Sequence, residues 1–139
     1  MRAIFIFTLG LLMSCSNPEN AEKMSIDEEI QAKVKTGKIY ILGIAKKGEN
    51  RNQPDDVVEQ LQKEHLRFLF GLRQKRILLM GGPVLDEGTA MNGMCILALE
   101  SKSEAEKIMK DDPMVTSGRM TREFYTFFGI PGEGLPKVE

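Results

Sequence analysis

A single histidine, His65, and two cysteines, Cys15 and Cys95, are the only imidazole and thiols in the chain. With no second imidazole, no Cys-x-x-Cys and no His-Glu-x-x-His, a preformed zinc site would have to rest on carboxylates, so no metal and no other cofactor is expected. Lysine and arginine gather on no one predicted face, and 19 of them against 20 acidic residues leave a formal charge of −1. Nucleic acid is therefore not an expected partner. No apolar run reaches the roughly 20 residues of a membrane-spanning helix. Gly81-Gly82-Pro83 is not followed by Gly-Lys-Ser or Gly-Lys-Thr, so it reads as a turn at a strand end and not as a phosphate loop. What is present, 42% hydrophobic and 28% charged residues in 139, is the composition of one ordinary globular domain.

Residues 1–15 carry one positive charge at Arg2, an apolar run over 3–13, and Ser14 before Cys15. That is the pattern of a secretory leader. Leu12-Met13-Ser14-Cys15 further resembles the lipobox of bacterial lipoproteins, in which the leader is cut before a cysteine that then carries lipid; the plain alternative is a leader with an unrelated cysteine. Acylation of Cys15 would leave Cys95 without a partner and rule out an intrachain disulfide. The expected location is the cell envelope, with the lipid as the only contact with membrane. Ser16 after the cysteine, in place of aspartate, suits sorting to an outer membrane.

Residues 16–36 are polar and read as a tether, within which Ser25-x-x-Glu28 is a capping box for a short helix bearing Ile26, Ile30 and Val34. The domain proper spans 37–130, and 131–139 read as a flexible tail. A β-rich run at 39–45 is the first strand. Pro54-Asp55-Asp56 opens a helix, the aspartates accepting from its free amides, and the helix fades at 73–76. Strands follow at 77–80 and 94–99. Two overlapping Ser-x-x-Glu boxes start a helix whose inner face is Ala105, Ile108 and Met109, and Asp111-Asp112-Pro113 stops it. Residues 120–128 form the last strand. The order strand, helix, strand, strand, helix, strand predicts an α+β, ferredoxin-like fold with an antiparallel sheet and both helices on one face. The first three strands are apolar at successive positions, so both sheet faces need cover. A second copy packed face to face, giving a homodimer, is the expected cover; the alternative is the N-terminal segment folded back over the sheet.

On the first long helix Val58, Leu61, Phe68, Leu69 and Leu72 share one stripe at about 100° per residue, with His65 near its middle. The imidazole thus points inward, either as a satisfied core residue or as a group kept for chemistry. An unperturbed imidazole pKa of about 6.5 suits proton transfer near neutral pH. Cys95 lies in an apolar strand where its thiol should stay protonated, which leaves no obvious nucleophile and makes a hydrolase a poor reading.

His65-Leu66-x-x-Leu69, Gly82-Pro83 after the second strand, and Asp112-Pro113-x-Val115-x-x-Gly118 before the last strand stand in an order and spacing that resemble the YciI family, the YCII-related domain of small dimeric α+β barrels. The resemblance covers about 38–128. It implies a His-Asp pair in a cleft beside the sheet, here His65 and Asp112, with Gly82 and Pro83 against the substrate, although adjacent Asp111 could claim the carboxylate role. The reaction class so implied is proton abstraction followed by elimination or isomerisation on a small molecule, and at least one relative acts on a chlorinated hydroxyquinone. The alternative is a non-catalytic module that holds a small apolar or aromatic ligand, with Phe124, Tyr125, Phe127 and Phe128 at hand for its pocket. The chain departs from the family pattern at Met114, at Ser117 and at Thr126-Phe127-Phe128-Gly129, positions expected to reshape the pocket wall.

Overall fold

The computed structural model describes residues 24–134. The leader, Cys15, the tether up to residue 23 and the tail beyond 134 lie outside the described residues. The elements are α1 (Ile26–Lys35), β1 (Lys38–Lys47), α2 (Asp55–Gln74), β2 (Leu78–Pro83), β3 (Met91–Leu97), α3 (Lys102–Met109), α4 (Pro113–Thr116) and β4 (Met120–Gly129). The strands form one antiparallel sheet in the order β2-β3-β1-β4, the ferredoxin-like arrangement expected from the sequence. β1 lies between β3 and β4, and its unbroken register with β4 runs from Lys38 opposite Gly129 to Lys47 opposite Met120.

Helices α2 and α3 pack on the same face of the sheet. Leu72 of α2 and Ala105 and Met109 of α3 meet Ile41, Leu78, Cys95 and Leu97 of the strands in one core, with Phe68 and Leu69 against its edge. The inward stripe read from periodicity is the one buried here: His65 and Leu72 are buried, and Val58, Leu61, Phe68 and Leu69 half-buried. Gly43 is required in β1 because a Cβ there would stand 2.7 Å from Cys95 Sγ and 3.2 Å from the Phe124 ring.

Local details correct three expectations. Gly81, Gly82 and Pro83 are strand residues of β2 and not a turn, Pro83 pairing with Gly93; β2 is an edge strand, where a missing N–H is tolerated. Ile77 precedes β2 and closes the end of α2, its amide donating to the Leu72 carbonyl at 2.9 Å while the Arg76 amide donates to the Arg73 carbonyl. This is a Schellman closure with Arg76 at φ 58°, a place usually taken by glycine. The α2 N-cap is Pro54, and no side chain caps the helix. Proline has no side-chain acceptor to offer, and Asp55 and Asp56 sit inside the first turn, where they suit the dipole only.

α1 closes its N-terminus with the full Ser25/Glu28 capping box, yet buries none of its residues, with Ile26, Ile30 and Val34 at least half exposed. It does not cover the sheet. The face turned away from α2 and α3 carries Leu42 and Met94, half-buried, and Ile44 and Ile96, buried, flanked by the exposed Tyr125 and Phe127 of β4. After β4, residues 131–134 hold a turn from which Glu133 reaches Lys33 of α1 at 3.0 Å.

Candidate functional site

Asp112 and Pro113 end one helix and start another, which is why the sequence reading of a stop missed α4. Proline presses the residue before it into extended geometry, and Asp112 (φ −62°, ψ 124°) serves as N-cap with Pro113 at the first helical position. Its Oδ1 accepts from the Met114 amide at 3.0 Å. Gly118, at φ 72°, turns the chain out of α4, and its carbonyl accepts from the Asn50 amide at 3.1 Å. Asn50 Nδ2 donates to the Ser117 carbonyl at 3.0 Å, and Arg119 Nη1 donates to Gln53 Oε1 at 2.9 Å. The motif Asp-Pro-x-Val-x-x-Gly thus reads as cap, first turn and left-handed exit, pinned to the loop that leads into α2. That pinning brings Asp112 against His65.

His65 Nδ1 stands 2.8 Å from Asp112 Oδ1 and 3.0 Å from Oδ2. Arg122, on β4, donates from Nη2 to Oδ2 at 2.7 Å. Asp112 is fully buried, and the side chains of His65 and Arg122 are 10% and 6% exposed. Burial alone would push the Asp112 carboxyl up, but the hydrogen bonds and charges of His65 and Arg122 outweigh it and hold the carboxyl below its usual range. An ionised Asp112 accepts from Nδ1–H, which fixes that tautomer and leaves the Nε2 lone pair without a partner among the described residues. Asp111 is exposed, so the carboxylate of the pair is Asp112.

The ring opens on a cavity of about 490 Å³ between α2 and the sheet. Leu66, Leu69, Phe70 and Leu78 supply apolar wall, and Gly82 and Pro83 stand on its margin. Arg73 lies at the rim, its guanidinium 5.3 Å from the Phe70 ring centre. Cys95 also reaches the wall; burial pushes its thiol up against the opposing pull of Arg122, so it stays a thiol.

Two expectations about this cavity fail. Met114 and Ser117 are not on its wall: Met114 is buried in α4, and Ser117 holds the turn after it. Phe124, Tyr125, Phe127 and Phe128 are not there either. Phe124 packs on the core, while Tyr125 and Phe127 face the opposite side of the sheet. Side chains alternate along a strand, so neighbours in sequence part company across it. Arg122 was not anticipated, yet a signal existed: it shares the inward parity of Phe124, opposite Ala45, and a charge at an inward position is seldom idle. Among the described residues no group of three or more His, Cys, Asp or Glu could hold a metal, and no helix is long and apolar enough to cross a membrane.

The chain is thus a ferredoxin-like α+β domain in which an imidazole held by a buried carboxylate faces a cavity between helix and sheet. The chain belongs to the YCII-related domain family, whose model matches residues 38–127. Among solved structures it is similar to 5-chloro-2-hydroxyhydroquinone dehydrochlorinase from Burkholderia phenoliruptrix in complex with 2,5-dihydroxybenzoquinone, at 22% identity over 68% of this chain and 95% of that one, with a TM-score of 0.42. No curated protein matches the chain.

Proposed function

We propose that this chain is an enzyme in which His65 moves a proton on a small molecule bound in the cavity beside α2, leading to elimination or isomerisation. The observation that carries the reading is the ring itself, with Nδ1 tied to a buried carboxylate and the opposite nitrogen free beside a cavity. In that state Nε2 is a general base, a role worth roughly 10² to 10⁴ in rate. It takes a proton from a carbon acid, and the electron pair left behind spreads into the adjacent carbonyl. Return of the proton to a different carbon is isomerisation; expulsion of a group from the neighbouring carbon is elimination. Asp112 keeps the tautomer and stabilises the imidazolium. A buried ion pair is a weak source of stability compared with apolar packing, so its place beside a cavity favours a functional reading.

The test is proton NMR in deuterium oxide with a panel of cyclic 1,3-diketones, hydroxyquinones and chlorinated hydroxyhydroquinones. Wild type should speed exchange or loss of the leaving group for at least one of these, and His65→Gln should slow it a hundredfold or more. Equal rates in both proteins, or no acceleration of any member, would sink the reading and leave a binding module.

The working form in this proposal is a homodimer joined through the sheet face that bears Leu42, Ile44, Tyr125 and Phe127. Support comes from the apolar character of that face, which α1 leaves open. The chain is held at the cell envelope by acylated Cys15. Metabolic labelling with a radioactive fatty acid should mark wild type and not Cys15→Ala, and equal labelling overturns the anchor.

A further inference from the structure

Arg122 satisfies few of its donors. Of the five N–H groups of a guanidinium, the Nη2 side meets Asp112, Nη1 has only Cys95 Sγ at 4.0 Å, and Nε is buried with no partner. The Asp112 carboxylate, in turn, is already shared with His65 and the Met114 amide. A cation so deeply buried with open donors is costly unless something else accepts from it. Of the described residues that line the cavity, Arg122 and Arg73 are cations and none is a carboxylate. Asp112 behind the wall offsets the charge of Arg122, so Arg73 leaves the site with a net positive charge among apolar side chains.

We infer that Arg122 binds an anionic oxygen of the substrate, so that the cavity takes a small, largely apolar anion, a carboxylate or an enolate, and sets it beside His65. Arg122 and His65 hold the same carboxylate and line the same cavity, so an oxygen held by the guanidinium shares that cavity with the ring. A planar guanidinium suits this task better than an ammonium, since it keeps one donor edge on Asp112 while offering others to a second anion. The inference rests on the reading of this cavity as the substrate site, and adds the charge of what enters it. On that reading, the enolate formed by proton abstraction is stabilised by Arg122 where its charge develops.

Binding, not turnover, tests it, so a failed search for a reaction leaves this result standing or falling by itself. Calorimetric titration of the full chain in detergent with benzoate and with its neutral isostere benzamide should give at least tenfold tighter binding of benzoate. Arg122→Gln should bring the ratio to about one, whereas Arg73→Gln, which removes the same charge from the rim, should keep most of it. If Arg122→Gln does not fold, Arg122→Lys decides: it keeps a cation beside Asp112 but loses the fork, and benzoate should weaken at least fivefold with benzamide unchanged. Equal binding of the two probes by wild type, no binding of benzoate, an equal loss in Arg73→Gln, or full affinity in Arg122→Lys overturns the assignment.

Discussion

Replacing Asp112 by asparagine preserves the shape of the side chain and removes its charge. The carboxylate accepts from three donors: His65 Nδ1 at 2.8 Å, the Met114 amide at 3.0 Å and Arg122 Nη2 at 2.7 Å. An amide has one oxygen. If that oxygen faces His65 and Met114, the amide NH2 meets the Arg122 donor head on. If it faces Arg122, the NH2 meets the Met114 amide and the ring takes the other tautomer. Either way a buried guanidinium has lost its counter-charge, and breaking a buried pair in this manner costs about 3–5 kcal/mol. Urea unfolding at pH 7 should show a loss of that size for Asp112→Asn.

The loss should depend on pH. The Asp112 carboxyl is held below its unfolded value of about 3.9. Its contribution is therefore fully present above that value and drains away as pH falls through the folded value. The gap in stability between wild type and Asp112→Asn should narrow as pH falls below about 4. Nitrogen-15 spectra of the ring should show Nδ1 protonated in wild type, and a shift toward the other tautomer in the variant. A gap under about 1 kcal/mol, a gap that widens in acid, or an unchanged tautomer would refute the account of the site.

Arg76 occupies the left-handed position after α2, where a side chain costs about 1–2 kcal/mol; offset by the greater freedom of unfolded glycine, Arg76→Gly should raise stability by roughly 0.5–1 kcal/mol in the same urea assay. Leu97 is fully buried between the helices and β1, so Leu97→Ala should cost about 2–5 kcal/mol, and a smaller loss would mean the core collapses around the gap. Cys95 should react with iodoacetamide far more slowly in the folded chain than in urea, because burial keeps its thiol protonated and out of reach. Sedimentation should find a dimer of wild type, and Tyr125→Lys together with Phe127→Lys should release monomers; a monomeric wild type would contradict the proposed interface.

The elements were legible because each one carries its own local signal. Ser25 and Glu28 cap α1 within four residues of chain, and the α2 stripe that sets His65 inward repeats with the helix period. Strand order followed from counting alternations of helix and strand, and the motif around Asp112 pointed to the carboxylate. Where local rules compete, the reading slipped. Asp112-Pro113 carries both a stop and a start signal, and only the fit of α4 against α2 selects the second. Gly82 and Pro83 look like a turn until the pairing with β3 makes them an edge.

What the sequence determined alone was therefore the succession of elements and the inward face of the histidine, both set by contacts within a few residues. The tertiary structure decided which way the side chains of each strand face and what they meet. Arg122 stands ten residues from Asp112 and 57 from His65 in sequence, yet all three meet on one carboxylate because β4 pairs with β1 and α2 crosses the sheet above them. No local propensity encodes such a meeting. It arises from antiparallel register and helix packing, which bring distant charges together only when the whole sheet is assembled.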